Sequence, residues 1–171
     1  MGSGYSVEEE IVAQAIPIVA IEPRFVLPKA VALHVTIESF SSLDTITDRA
    51  TGVEFFQVRS EFSLGAKKAL LDNTGVVVCN LEGGIFESLS GYTLYRGESS
   101  NSPIGTADFD LGFSTNLTLP IVNLTTGQNV LIRMKGDWLD KQEAGIYLTE
   151  KNHDVLIARV MNSGEWNFTS T

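Results

Sequence analysis

The chain has 171 residues, 43% of them hydrophobic and 19% charged, which is the size and composition of one folded domain able to bury a sizeable core. Its formal net charge of −9, from 12 basic and 21 acidic residues, argues against nucleic-acid binding, which needs clustered Lys and Arg, and against whole-molecule attraction to an anionic membrane. No apolar run approaches the roughly 20 residues that span a bilayer as a helix, and the single cysteine, Cys79, forms no internal disulfide, so a cytoplasmic setting is expected.

Residues 1–10, MGSGYSVEEE, read as a flexible acidic lead, and residues 11–171 as a single domain. The lead is acidic where a secretory signal is basic. Gly2 with Ser6 formally fits the N-myristoylation pattern M-G-x-x-x-[ST]. Residues 11–37 are apolar but punctuated by Pro17, Pro23 and Pro28, which rules out a long helix and predicts extended edge segments wrapped along the body. The last part, AVALHVTI, reads as a strand carrying His34. A lone His in such a run is a sheet residue, and with His153 as the only other histidine no His-based metal site or triad is expected.

Residues 46–81 contain one design twice. Polar turns at 48–52 and 72–75, rich in Asp and Gly, each precede a run of β-formers, VEFFQV and VVVCNL, about 24 residues apart. That predicts a β-meander. Cys79, inside VVVCNL, is expected to be a buried, inert thiol. Between the two units, LGAKKALL reads as a hairpin turn. It carries Lys67 and Lys68, the most concentrated positive charge in the chain. They are the candidate contact for an anionic ligand such as a phosphate group; the plainer reading is a solvated hairpin tip. The glycine pair of GGIF, residues 83–86, lacks the following helix that a phosphate loop needs.

Further on, GYTLYRGES places Tyr92, Leu94 and Arg96 on one strand face. The run TADFDLGFSTNLTLPIVNL alternates cleanly: Phe109, Leu111 and Phe113 against Asp108 and Asp110, then Leu117, Leu119 and Ile121 against Thr118 and Pro120. Asp108 and Asp110 share a face about 7 Å apart. Paired carboxylates can do acid–base work or bind calcium, but a solvated sheet face is expected here. The sequons at Asn116, Asn123 and Asn167 fall in strand-like segments and are expected to stay unglycosylated. In NVLIRMKGDWL, Val130, Ile132 and Met134 oppose Leu131, Arg133 and Lys135. GIYLTE and DVLIARVM follow, with one more strand beginning at Trp166.

Short strands with turns every eight to twelve residues, and no sustained 3.6-residue periodicity after residue 40, make the chain all-β. That many consecutive antiparallel strands close into a barrel or split into a sandwich to hide their edges. No nucleophile elbow, zinc-ligand cluster or dinucleotide fingerprint is present, and neither enzyme activity nor a cofactor is expected.

Taken together, the blocks resemble the LURP-one-related family of plants. IVAIEPRFVLPKAVALHV is similar to its proline-marked first strand. The span from FSSLDTITD through ATGVEFFQV and KKALLDNTG to GYTLYRGES is similar to its core, and MKGDWLDKQEAGIYLTEKNHDVLIARV to its later strands, over roughly residues 12–168. The resemblance implies a tubby C-terminal-like, phospholipid-scramblase-like antiparallel β-barrel of about ten to twelve strands around a hydrophobic C-terminal helix. No segment here suits that helix, so it is expected to be missing from this chain. An interior left wet costs several kcal/mol at about 25 cal/mol per Å², which implies lower stability or a ligand or partner inside. The resemblance further implies a non-enzymatic binding or scaffold protein, linked to plant defence against biotrophic oomycetes and acting through a protein partner. The alternative it implies is a peripheral plasma-membrane module that binds phosphoinositide head groups, here through Lys67 and Lys68.

Overall fold

A computed structural model describes residues 11, 16–37, 42–62, 66–83, 91–110, 115–137, 143–150 and 153–161. The chain forms β1 (Leu33–Thr36), β2 (Leu43–Asp48), β3 (Glu54–Phe62), β4 (Ala66–Asp72), β5 (Val77–Gly83) and β6 (Gly91–Arg96). It continues with β7 (Pro103–Asp110), β8 (Thr115–Val122), β9 (Asn129–Asp137), β10 (Glu143–Glu150) and β11 (His153–Met161). All eleven belong to one sheet in chain order, and every strand is antiparallel to the next. The all-β, antiparallel expectation holds, and the eleven strands among the described residues fall within the ten to twelve implied. Among the described residues the hydrogen-bonded order runs from β1 to β11 without those two strands pairing, and the sheet is not closed.

The turns follow from their side chains. Asp48 Oδ1 accepts from the Ala50 and Thr51 N–H groups, and Asp72 Oδ1 from those of Thr74 and Val76. Each carboxylate thereby fixes the reversal locally. Gly52 and Gly75 close these turns at φ 72° and 82°, in the left-handed region that residues with a Cβ avoid.

One reading of the sequence is corrected here. The AKKALL part of LGAKKALL is not a turn: residues 66–72 form β4, paired with β3 on one side and β5 on the other. Ala and Lys are weak strand formers, but the ladders on both sides decide the outcome. The proline-marked segment is extended, as expected, and its place is now defined. Residues 16–26, with a 3-10 turn at Pro23–Phe25, form a strap across the end of the sheet that carries the β2–β3, β4–β5, β6–β7 and β8–β9 turns.

The strap crosses the sheet: Val19 is tied to Asn123, just after β8, while the Phe25 ring lies 5.4 Å from that of Phe56 in β3. The sheet curls toward the strap. Side chains of β4 through β8 on this one face line a single cavity of about 340 Å³, which a concave face provides, in keeping with the coiling of twisted strands. Ile121, Val130 and Leu148 form the core on the concave face, with Ile18 and Ala20 of the strap and Ile104, Leu119, Ile132 and Ile157 packed against them.

Some sequence expectations fall outside the described residues: the lead with Gly2, residues 84–86 of GGIF, Leu111 and Phe113, Asn167, the strand from Trp166, and any C-terminal helix.

Candidate binding cavity

Strand register decides which side chains face inward. Lys68 pairs with Leu81, Leu81 with Leu94, and Tyr92 with Ala107; cross-strand partners share a face. Phe109 pairs with Leu117, which puts Leu117 and Leu119 on the same side as Ala107. These residues, from five neighbouring strands, line a cavity of about 340 Å³. Lys68, Leu81, Tyr92 and Leu117 lie near the strand ends remote from the strap, so the cavity occupies that end of the trough. Its walls are aliphatic apart from the Lys68 ammonium and the Tyr92 ring, and Leu81, Leu94, Leu117 and Leu119 are only half-buried.

A second cavity of about 230 Å³ lies under the strap, between Ile18, Phe25, Phe56, Leu70 and Val78. Three polar anchors hold the strap over it. At the first, the Asn123 side chain is buried: Oδ1 accepts from the Val19 N–H (3.2 Å) and the Thr125 N–H (3.0 Å), and Nδ2 donates to the Pro17 carbonyl. The Leu124 N–H adds a backbone bond to the Val19 carbonyl (2.8 Å). At the second, Arg96, at the end of β6, donates to the carbonyls of Ile21 and Ala20.

The third anchor is Arg24, whose Nη1 lies 2.9 Å from Asp72 Oδ2 while its Nε bonds Glu22. Asp72 is buried, yet fully satisfied. Its Oδ1 takes the Thr74 hydroxyl and two backbone N–H groups, and Oδ2 takes Arg24. The Thr74 hydroxyl, then Arg24 and those N–H groups, outweigh burial and hold this carboxyl well below the usual aspartate range.

The two lysines singled out in the sequence are adjacent in β4 and therefore point to opposite faces. Lys67 faces outward, 3.1 Å from Glu82, whose carboxyl is held low first by the Ser100 hydroxyl and then by Lys67. Lys68 faces the cavity and is exposed, with no ion-pair partner among the described residues. The pair does not form one contact surface. On the outer face of β9–β11, Asp154 gathers Lys135, Thr149 and Arg133, which lower its pKa in that order.

The remaining candidates are placed as follows. Cys79 is buried, and burial pushes its thiol up from the ordinary value. Asp108 is exposed on the outer face of β7. His34 and His153 are exposed, in β1 and β11, the outermost strands among the described residues. Among the described residues no three His, Cys, Asp or Glu side chains come together as a metal site. Asn123 spends its amide on the strap, which leaves no room for a glycan on the folded chain. No helix among the described residues is long and apolar enough to cross a membrane.

Sequence reasoning missed the strap anchors Asn123, Arg96, Arg24 and Asp72. Asn123 sat in a sequon and Asp72 in a turn, and either role accounts for the residue without a partner 50 or 100 positions away.

A family model described as LURP-one-related matches residues 31–170. The structure is similar to the X-ray structure of a protein from Arabidopsis thaliana, with a TM-score of 0.60 and 22% sequence identity over 84% of this chain and 79% of that one. At that identity the likeness speaks for the fold alone. No curated protein matches the sequence.

Proposed function

The chain belongs to the LURP-one-related family, and from that premise we propose that it is a non-enzymatic binding protein that holds an apolar ligand or partner segment in the trough of its curled sheet. One observation carries this reading: Leu81, Leu94, Leu117 and Leu119 stand half-buried around a cavity of about 340 Å³ on the face that register turns inward. Apolar surface left wet costs about 25 cal/mol per Å², and an apolar occupant recovers that free energy. A concave, mostly apolar site with one or two polar groups is the common form of a small-ligand pocket. The phosphoinositide alternative has weaker support, because Lys67 and Lys68 take opposite faces and Lys67 is already paired.

Titration of the folded protein with the uncharged dye Nile red tests the reading. Saturable one-site binding is expected, weakened at least tenfold by Leu94→Gln with near-UV circular dichroism unchanged. Absence of saturable binding, or equal binding by the variant, refutes it. The defence role implied by the family accompanies this proposal. Disruption of the gene followed by challenge with a biotrophic oomycete tests it, and unchanged susceptibility removes it.

A further inference from the structure

We propose that the trough takes the acyl chain of a free long-chain carboxylate, with the Lys68 ammonium binding the carboxylate at the cavity rim. The assignment rests on the binding-cavity reading and adds the ligand's chemistry to it.

Two features of the site point to an anionic amphiphile. The first is the contrast between walls and rim. Leu81, Leu94, Ala107, Leu117 and Leu119 offer only hydrocarbon, while Lys68 brings a full positive charge to the same face. A lysine on an apolar inward face is costly unless its ammonium reaches water or an anion. The second is the charge balance. Acidic residues outnumber basic ones by 21 to 12, and Arg24, Arg59, Lys67, Arg133 and Lys135 each have a carboxylate partner. Lys68, like the exposed Lys29 and Arg49, has none among the described residues, and of these three only Lys68 lines the cavity. An unpaired ammonium in so acidic a chain, at the edge of an apolar cavity, is complementary to a single negative charge on a hydrocarbon chain.

Size and charge narrow the class. A cavity of about 340 Å³ lies at the lower end of ligand-pocket volumes, roughly 300–1,000 Å³, and suits one alkyl chain better than the two of a membrane phospholipid. One ammonium matches one carboxylate and falls short of a polyphosphorylated head group. Tyr92, at the same end of the trough, adds a ring against which the first methylenes can pack.

Displacement of Nile red from the full chain by saturated carboxylates of 8 to 16 carbons, with dodecanol as the uncharged control, tests the proposal. Each added methylene should tighten binding about fourfold, until the chain outgrows the cavity. Dodecanoate should bind at least tenfold more tightly than dodecanol, as a charge-assisted hydrogen bond implies. Lys68→Met, which keeps the aliphatic stem, should bring dodecanoate down to the dodecanol level, and Lys68→Arg should preserve the preference. Lys68 is exposed, so neither change threatens folding. If dodecanoate binds no better than dodecanol, or the preference survives Lys68→Met, the anionic assignment is overturned while the apolar cavity stands. Failure of both ligands overturns both. Binding to anionic vesicles without binding of monomeric dodecanoate overturns the assignment in favour of a membrane surface.

Discussion

Replacing Asn123 with alanine should release the strap from the sheet. The side chain is buried and makes three hydrogen bonds, two accepted by Oδ1 and one donated by Nδ2. Truncation strands the buried Val19 N–H. A buried polar group without a partner costs about 1–3 kcal/mol. Pro17 and Thr125 are exposed, so the Pro17 carbonyl and the Thr125 N–H can turn to water, and one group counts. For a domain of this length 1 kcal/mol shifts Tm by roughly 2–4 °C, so a loss of about 2 kcal/mol should lower Tm by about 4–8 °C. Hydrogen exchange separates a local from a general effect: the Leu124 amide, bonded to the Val19 carbonyl, should lose protection before the amides of β9 and β10. Asn123→Asp keeps the acceptor but loses the donor, and should fall between wild type and alanine. A Tm within about 2 °C of wild type for Asn123→Ala, with Leu124 protection intact, would refute the claim that this side chain anchors the strap.

Leu148, fully buried at the centre of β10, should cost about 3 kcal/mol or more as alanine, a Tm fall of roughly 6–12 °C, whereas exposed Val35→Ala in β1 should stay within about 0.5 kcal/mol; equal effects would show the core lies elsewhere. Gly105→Ala places a methyl against the Pro120 carbonyl oxygen, a backbone atom that cannot swing aside, and should destabilise by about 1–3 kcal/mol in chemical unfolding; Gly75→Ala meets no atom and should cost only about 1 kcal/mol for its positive φ. Asp72 is ionised more readily in the folded chain than in the unfolded one, so its contribution is present above the ordinary aspartate pKa of 3.8 and is lost as pH falls below it. The Tm gap between wild type and Asp72→Asn should therefore hold from pH 7 to about pH 5 and narrow below pH 4; a gap unchanged down to pH 2 would mean that this carboxylate is not the source.

The fold was more legible than the site, for a physical reason. Strand periodicity and turn chemistry are local, and both survive in the sequence. The faces assigned to Tyr92, Leu94 and Arg96, to Leu117, Leu119 and Ile121, and to Val130, Ile132 and Met134 agree with the observed register. So do the turns built on Asp48 and Asp72. LGAKKALL misled because propensity is also local while pairing is not. Two neighbouring strands supply the hydrogen bonds that turn Ala and Lys into β4.

That misreading determined what was inferred about the lysines. On a hairpin tip, Lys67 and Lys68 would form one exposed doublet, suited to a phosphorylated surface. In a strand, the two-residue period turns one outward to Glu82 and the other into an apolar trough. No change in composition accompanies this, and the net charge of −9 is the same either way. What changes is the environment of a single ammonium: it stays in reach of water but stands beside hydrocarbon walls, where an anion that brings its own apolar tail can meet both. The information that converts a weak surface motif into a specific site is therefore the register between β4 and β5, a relation between segments that no single stretch of the sequence carries. By the same reasoning, a one-residue slip of β4 would exchange the roles of Lys67 and Lys68. The β-bulge that shifts the β4–β5 register between Leu70 and Leu71 helps to lock the alignment that keeps Lys68 inside.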